Sequence, residues 1–234
     1  MNTLLRNFFW IPAKTILSFL PYPIFRLIKL HAINALSYTG YSNSQNRMDK
    51  LIIKFFKFKK NGICMEVGGA DGIDQSNSLY LERKFNWKTY LVEPVSEQFL
   101  LSKKFRKKSV IKQYAFISKK SFLTEKNIKI YKDALQSQII PSIKSSENDS
   151  VFEVVPTNTL DNFFRENNIH GIDILILDVE GYEIEVLEGY GKNQTIIDYI
   201  LVESKLEKFD QYAKSRGWSF VSSIGDDYLY CLKK

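Results

Sequence analysis

From Gly62 onwards the chain alternates short apolar runs with stretches of helical spacing. Ile63–Val67 reads as a buried strand, and Asp74–Phe85, with Leu79, Leu81 and Phe85 apolar, as a helix. Thr89–Val92 is a strand, Ser96–Arg106 a helix that turns Phe99, Leu100 and Phe105 inward, and Val110–Ile117 a further strand. Ile172–Leu177 ("IDILIL") is the most strongly buried strand of the chain. Helix Gly181–Tyr190, strand Tyr199–Val202 and helix Glu207–Arg216 follow it. Strands alternating with helices predict a parallel sheet with crossover helices. The tail, "GWSFVSSIGDDYLYCLKK", departs from this. It reads as two strands joined at Gly225-Asp226-Asp227, a turn signal, so a hairpin closes an otherwise parallel sheet. The dinucleotide-binding fold ends differently, on parallel strands. Between Ser118 and Asn158 the alternation also breaks, with strands at Ile128–Tyr131 and Val151–Val155 around a polar loop whose Ser145–Ser150 part reads as mobile.

Ahead of this core lies a segment of another character. "MNTLLRNFFWIPAKTILSFLPYPIFRLIKLHAINAL" is apolar, aromatic and basic. Its longest uncharged run, Thr15 to Phe25, has eleven residues and contains Pro21 and Pro23. A membrane span needs about twenty. Three readings of the arm stand: short helices packed on the core, a basic amphipathic segment on an anionic membrane surface, and a poor signal peptide interrupted by Lys14. In "RMDKLIIKFFKFKKNG", Leu51, Ile52, Phe55 and Phe56 share one helical face and Lys50, Lys54 and Lys57 the other, with a stop at Asn61-Gly62. The division is therefore a basic, apolar helical arm over 1–60 and an α/β core domain over 61–234, with an insertion at about 118–158.

Charge sharpens that division. Ten of the 33 Lys/Arg but only one of the 26 Asp/Glu lie in residues 1–60, which leaves 23 basic and 25 acidic residues in 61–234. The core is near neutral, so nothing electrostatic supports nucleic-acid binding by it. The cysteines, Cys64 and Cys231, both sit in apolar runs, as buried thiols of a reducing, cytoplasmic compartment do. If the arm meets a membrane, it does so at the inner face.

The chemistry gathers in "GICMEVGGADGIDQSNSLYLERKFNWKTYLVEP". After the first strand, Gly68, Gly69 and Gly72 let backbone approach a ligand closely. The expected helix at Asp74 points its N-terminus at the same place. Glu93 stands 21 residues after Gly72 at the end of the next strand, where a carboxylate accepts both hydroxyls of a ribose. Glu66, Asp71 and Asp74 crowd the turn. Three acids are unwelcome beside a pyrophosphate and suit a cationic ligand that bears an amino group. S-adenosylmethionine is one.

These residues carry a resemblance. "MEVGGADG", "NSLYLERKFNWKTYLVEP", "TLDNFF" and "IDILILDVEGYEIEVLEGY" resemble the FkbM-type class I methyltransferases, over roughly residues 61–205. They are most similar to the branch with a V-E-I-G-A-N-D-G turn and a Trp before I-E-P; Asp178-Val179-Glu180-Gly181 is the most specific part. The resemblance implies an α/β, Rossmann-like class I methyltransferase fold: a seven-stranded, mostly parallel sheet with a reversed C-terminal hairpin. It also implies S-adenosylmethionine-dependent transfer to a hydroxyl of a sugar, glycan, glycolipid or secondary metabolite. By position, Glu66, Gly68, Gly69, Ala70, Asp71 and Gly72 form the cofactor turn, Glu93 holds the ribose, and Asp178 lies near the methionine part. Ala70 replaces the usual Asn, and the family's Ser-rich segment is here only "LQSQ", Leu135 to Gln138. Residues 1–60 match nothing in the family's common core.

Methyl transfer to a hydroxyl needs alignment and a proton acceptor. Ligands of open α/β sheets bind at the carboxyl ends of strands, which discounts His170, placed before its strand, and leaves His31 in the arm. The candidate catalytic residues are Asp178, Glu180 and Glu203, at two neighbouring strand ends. They act without metal in the preferred reading, although Asp178 and Glu203 could also hold a divalent cation. Glu183, Glu185 and Glu188 read as a solvated helix face, and Trp87 and Trp218 as core. Two other functions stay open at this point: an NAD(P)-dependent oxidoreductase, and a non-catalytic cofactor-binding scaffold at the membrane.

Overall fold

A computed structural model describes residues 20–131, 138–139, 152–191, 195–203, 207–224 and 227–232. Its elements, in chain order, begin with helix α1 (Tyr22–Ser37), a 3-10 turn (Gln45–Arg47) and helix α2 (Met48–Phe55). Strand β1 (Ile63–Val67), helix α3 (Leu79–Phe85), strand β2 (Lys88–Val92), helix α4 (Ser96–Phe105) and strand β3 (Val110–Lys112) come next. Four strands and a helix then interrupt the pattern: β4 (Ala115–Phe116), β5 (Asn127–Tyr131), β6 (Gln138–Ile139), β7 (Phe152–Asn158) and α5 (Leu160–Glu166). The chain continues through β8 (Gly171–Leu177), α6 (Glu183–Glu188), β9 (Ile196–Glu203), α7 (Glu207–Ser215), β10 (Trp218–Ile224) and β11 (Asp227–Leu232).

The main sheet has seven strands in the order β10-β11-β9-β8-β1-β2-β3. Strands β9, β8, β1, β2 and β3 are parallel, while β11 runs antiparallel to both β9 and β10. This is the mostly parallel, seven-stranded α/β sheet that the sequence predicts, closed by the expected reversed hairpin. Strand alternation sorts its side chains into two cores. Cys64, Ile174 and Ile176 face α2 and α3, packed with Met48, Ile52, Ile53, Leu81 and Trp87. Met65, Leu175 and Leu177 face the other way, towards Phe163, Leu187, Phe209 and Trp218. Trp87 and Trp218 are thus core residues, as their sequence context predicts.

Several expected boundaries move. The Val110–Ile117 run is two strands in two sheets: β3 ends the main sheet, and β4 begins a second one of order β4-β7-β5-β6. That second sheet fills the insertion and packs Val95, Ala115, Ile117, Ile128, Ile130 and Val155. Leu100 is exposed, whereas Phe105 is buried and Leu101 packs beside it. Helix α2 is rotated from its expected face. Met48, Ile52 and Ile53 are buried, while Leu51 and Phe55 stay exposed, because the helix ends at Phe55 and left-handed Lys57, Phe58 and Asn61 lead the chain into β1. Cys64 is buried and Cys231 only partly so; both thiols are free. The Ser145–Ser150 loop, most of "LQSQ" and the centre of the hairpin turn lie outside the described residues.

The described part of the arm packs on the core. Leu30 and Ile33 of α1 bury against Ile73, Leu79 and Phe105. No helix among the described residues is long and apolar enough to cross a membrane.

Candidate active site

The carboxyl ends of β1, β2 and β8 meet at a cleft of about 270 Å³, whose walls include Glu66, Gly68, Gly69, Ala70, Asp71, Glu93, Asp178 and Glu180. The second sheet supplies one side of it through Ala115, Phe116 and Ile130, and α1 supplies another through Tyr22, Phe25, Arg26 and Lys29. Gly68 makes the geometry possible. Its φ is +82°, and a Cβ there would fall on the carbonyl oxygen of Asp178. Only a residue without a side chain lets the ends of β1 and β8 approach this closely.

The turn after Gly68 is held by side chains rather than by a helix. Asp71 Oδ1 accepts from the backbone N–H groups of Ile73 (2.9 Å) and Asp74 (2.8 Å). Glu66 accepts from Asn77 N–H (2.8 Å), Ser76 Oγ (2.9 Å) and Ser78 Oγ (2.5 Å). These local bonds compete with helix formation, so α3 starts at Leu79 and not at Asp74. No helix N-terminus therefore points into the turn from Asp74. Behind it lies Arg106, buried, which donates to Gly72 O (2.8 Å), Ser76 Oγ (3.1 Å) and Ser78 Oγ (3.0 Å) and pairs with buried Glu82 (3.2 Å). Gly72 thus belongs to this support, against Leu91, Ser102 and Arg106, and not to the cleft wall.

The acids of the turn are not all free to meet a ligand. Asp71 pairs with Arg26 at 3.3 Å, and Asp74 pairs with Lys29 and accepts from Asn43 (2.7 Å). The arm therefore neutralises two of the three acids that the sequence places here. Burial pushes the Asp71 carboxyl up, against the backbone donors and Arg26 that pull it down.

Glu93 ends β2 with both oxygens engaged. Oε2 accepts from Ala70 N–H (2.9 Å) and Oε1 from Val95 N–H (2.8 Å). Ala70 has φ +44°, so a residue replacing the usual Asn adopts the left-handed conformation that Asn tolerates well. Burial raises Glu93 to about 7 despite these two donors, with Asp71 and Glu153 adding to the rise.

At the end of β8, Asp178 N–H donates to Val67 O (3.0 Å), and its side chain shares a hydrogen bond with Glu203 from the end of β9. Burial, then that bond and the charges of Glu203, Glu180 and Glu66, raise Asp178 to about 8. Glu180 is exposed, has φ +52° and precedes Gly181 at φ +96°. Two successive left-handed residues form a strained corner beside the cleft. Burial and Glu203 push the Glu180 carboxyl up as well. Glu203 itself is exposed and stands beside Asp178 without forming the cleft wall. Of the expected solvated glutamates, Glu183 is buried and accepts from Gly181 N–H (3.1 Å), and Glu185 accepts from Ser118 N–H (3.3 Å); Glu188 alone is exposed.

Residues 66–226 match the family model for the methyltransferase FkbM domain. The chain belongs to the FkbM methyltransferase family. It is accordingly an S-adenosylmethionine-dependent methyltransferase, and the oxidoreductase reading is set aside. No curated protein matches the chain significantly. Among solved structures, a methyltransferase from Geobacter sulfurreducens is 13% identical, covering 94% of this chain and 95% of its own, with a TM-score of 0.46. Precorrin-6y C5,15-methyltransferase from Geobacter metallireducens is 6% identical, covering 80% and 87%, with a TM-score of 0.46. The chain spans 66% of the METTL16 methyltransferase domain, with 80% of its own length covered, 8% identity and a TM-score of 0.46. Likenesses of this size carry no argument; the family match and the strand order do.

The FkbM cleft fits the cofactor that its family uses. A glycine turn leaves room at Gly68, and Glu93 lies in the wall beside it. In the same wall the buried Oδ1 of Asn77 has no hydrogen-bond partner among the described residues, an acceptor that a ligand donor would satisfy. Asn77, Arg26, Lys29 and Arg106 escape sequence reading. Asn77 sits where a helix is expected, and the three cations act across 17 to 72 residues of sequence. Among the described residues no group of three His, Cys, Asp or Glu side chains is arranged to hold a metal ion. His31 is exposed on α1 and is not part of the wall, and His170 directly precedes β8, away from its carboxyl end.

Proposed function

We propose that this FkbM methyltransferase transfers a methyl group to a hydroxyl oxygen of a sugar-containing or related small-molecule acceptor, with the Asp178–Glu203 pair taking the hydroxyl proton. The observation that carries the reading is the raised Asp178 carboxyl, at about 8, in a cleft wall and hydrogen-bonded to Glu203. Once ionised, a carboxylate tuned this far up is a stronger base than an ordinary one, as a general base for an alcohol must be. Bound S-adenosylmethionine supplies an electrophilic methyl on a positively charged sulfur. The acids at Glu66, Asp178 and Glu180 suit that charge, and Glu93 suits ribose hydroxyls. When the acceptor oxygen gains the methyl group it gives up its proton to the pair, and S-adenosylhomocysteine leaves neutral at sulfur.

The test has two stages. Calorimetric titration with S-adenosylmethionine is expected to show binding that Glu93→Gln weakens by roughly tenfold or more, the loss of charged hydrogen bonds to hydroxyls. Transfer of labelled methyl to a panel of free and lipid-linked glycans follows. Asp178→Asn is expected to lower the turnover on the order of a hundredfold or more with cofactor affinity kept. Label arriving on nitrogen or carbon, or full turnover in Asp178→Asn, would overturn the assignment.

A further inference from the structure

Helix α1 buries Leu30 and Ile33 but is apolar on its outer side too. Its cations face the protein: Arg26 meets Asp71 (3.3 Å), Glu97 (2.9 Å) and Gln98 (2.6 Å), and Lys29 meets Asp74. The opposite face carries Ile24, Leu27, Ile28, His31 and Ala35, all exposed, on the spacing of a single helical stripe. Ile24, Leu27 and Ile28 are 49%, 38% and 41% exposed, and the stripe has no carboxylate. Tyr22 and Tyr38 are exposed at its two ends. Polar surface normally occupies this side, and contiguous apolar side chains here mark an interaction site.

Charge indicates what covers it. His31 stacks edge-on to Phe105 at 4.9 Å, and Lys104 lies over the same ring at 5.5 Å. The end of α4 thus brings Lys104 beside the apolar stripe, and Lys103, Lys107 and Lys108, its neighbours in sequence, are exposed as well. We propose that this surface docks on an anionic lipid bilayer. Ile24, Leu27 and Ile28 enter the headgroup boundary, Tyr38 sits at its level, and the lysine cluster meets anionic lipid. The sequence that precedes the helix, residues 1–19, has the same character, with Arg6 and Lys14 and no acid. A second copy fits less well, because a two-fold contact would set the same lysine-flanked stripe against itself. The inference stands without the hydroxyl-transfer reading, but it bears on it. The inner face of α1 lines the cleft through Tyr22, Phe25, Arg26 and Lys29, so docking sets the cleft beside the membrane, where a lipid-linked acceptor would be presented.

The test is flotation of the full chain with phosphatidylcholine vesicles, with and without phosphatidylglycerol. Wild type is expected to float with the anionic vesicles, and the Leu27→Glu/Ile28→Glu double variant to lose about tenfold or more of that partitioning. Both proteins are expected to melt alike and to bind S-adenosylmethionine alike, which separates failure of docking from failure of the site. Should the double variant not fold, Lys103→Glu/Lys104→Glu serves instead and must weaken flotation by a similar factor. The proposal is overturned if wild type does not float, if it floats equally with neutral vesicles, or if the folded variant floats like wild type. It is overturned equally if sedimentation without lipid shows a dimer that Leu27→Glu/Ile28→Glu disperses, which would assign the stripe to a second copy.

Discussion

Asp178 works under two opposed demands. As the proposed proton acceptor it must be ionised, yet burial and Glu203 favour its neutral form. With a carboxyl raised to about 8, turnover is expected to climb about tenfold per pH unit below that value and to level off above it. Stability runs the other way. Asp178 at about 8 and Glu93 at about 7 hold protons in the folded state that the unfolded chain releases near pH 4. The folded protein therefore loses stability as pH rises from about 4 towards 8. Thermal melting of the ligand-free protein should fall across this window, and Asp178→Asn should flatten the slope. A rate independent of pH between about 6 and 8 would show that another group takes the proton. Both acids are legible in the sequence, because each ends an apolar strand and strand ends hold the ligands of such sheets. Asn77 is not legible: its value lies in an unpaired buried oxygen, and neither composition nor spacing reports that.

Among the elements, strands were easier to read than helix starts. Runs such as Ile63–Val67 and Ile172–Leu177 are buried on both faces and announce themselves by continuous apolarity. The first turn of α3 could not be read this way. Asp71, Ser76 and Ser78 have side chains that bond nearby backbone or Glu66, and each such bond removes a reason for residues 74–78 to coil. The insertion was visible as a break in alternation, but the separate sheet that it builds depends on pairing β4 with β7, some forty residues apart. One element junction has a sharp consequence. Gly68→Ala places a methyl group on the Asp178 carbonyl in a left-handed residue, so the ends of β1 and β8 must part. The expected cost is roughly 3 kcal/mol from backbone strain and overpacking together. Cofactor affinity should fall with it, whereas Gly181→Ala, whose Cβ meets nothing within 4 Å, should cost only the smaller conformational penalty. Equal destabilisation of the two variants in urea unfolding would remove Gly68 from this role.

At the scale of the whole molecule, the arm and the catalytic sheet share one cleft. Arg26 reaches both the β1 turn, through Asp71, and helix α4, through Glu97 and Gln98, while Lys29 closes on Asp74. The Arg26–Asp71 contact is mostly buried, with side chains 18% and 6% exposed, so it is screened less than the surface pairs elsewhere on the molecule. Removing the cation leaves a buried carboxylate that its two backbone donors satisfy only in part, and Asp71 must then climb further or move. Either response loosens the turn that lines the cleft. Arg26→Ala is therefore expected to weaken S-adenosylmethionine binding about tenfold, and Arg26→Ala/Lys29→Ala to weaken it further. The two losses should not add, because both cations act on one loop. Arg26→Lys restores charge but not the fork that spans three partners, and should recover only part of the affinity. Calorimetry on these variants, with circular dichroism to show that α1 remains folded, measures the effect. Unchanged affinity in the double variant would mean that the arm covers the cleft without shaping it, and its packing would then serve the outward face alone.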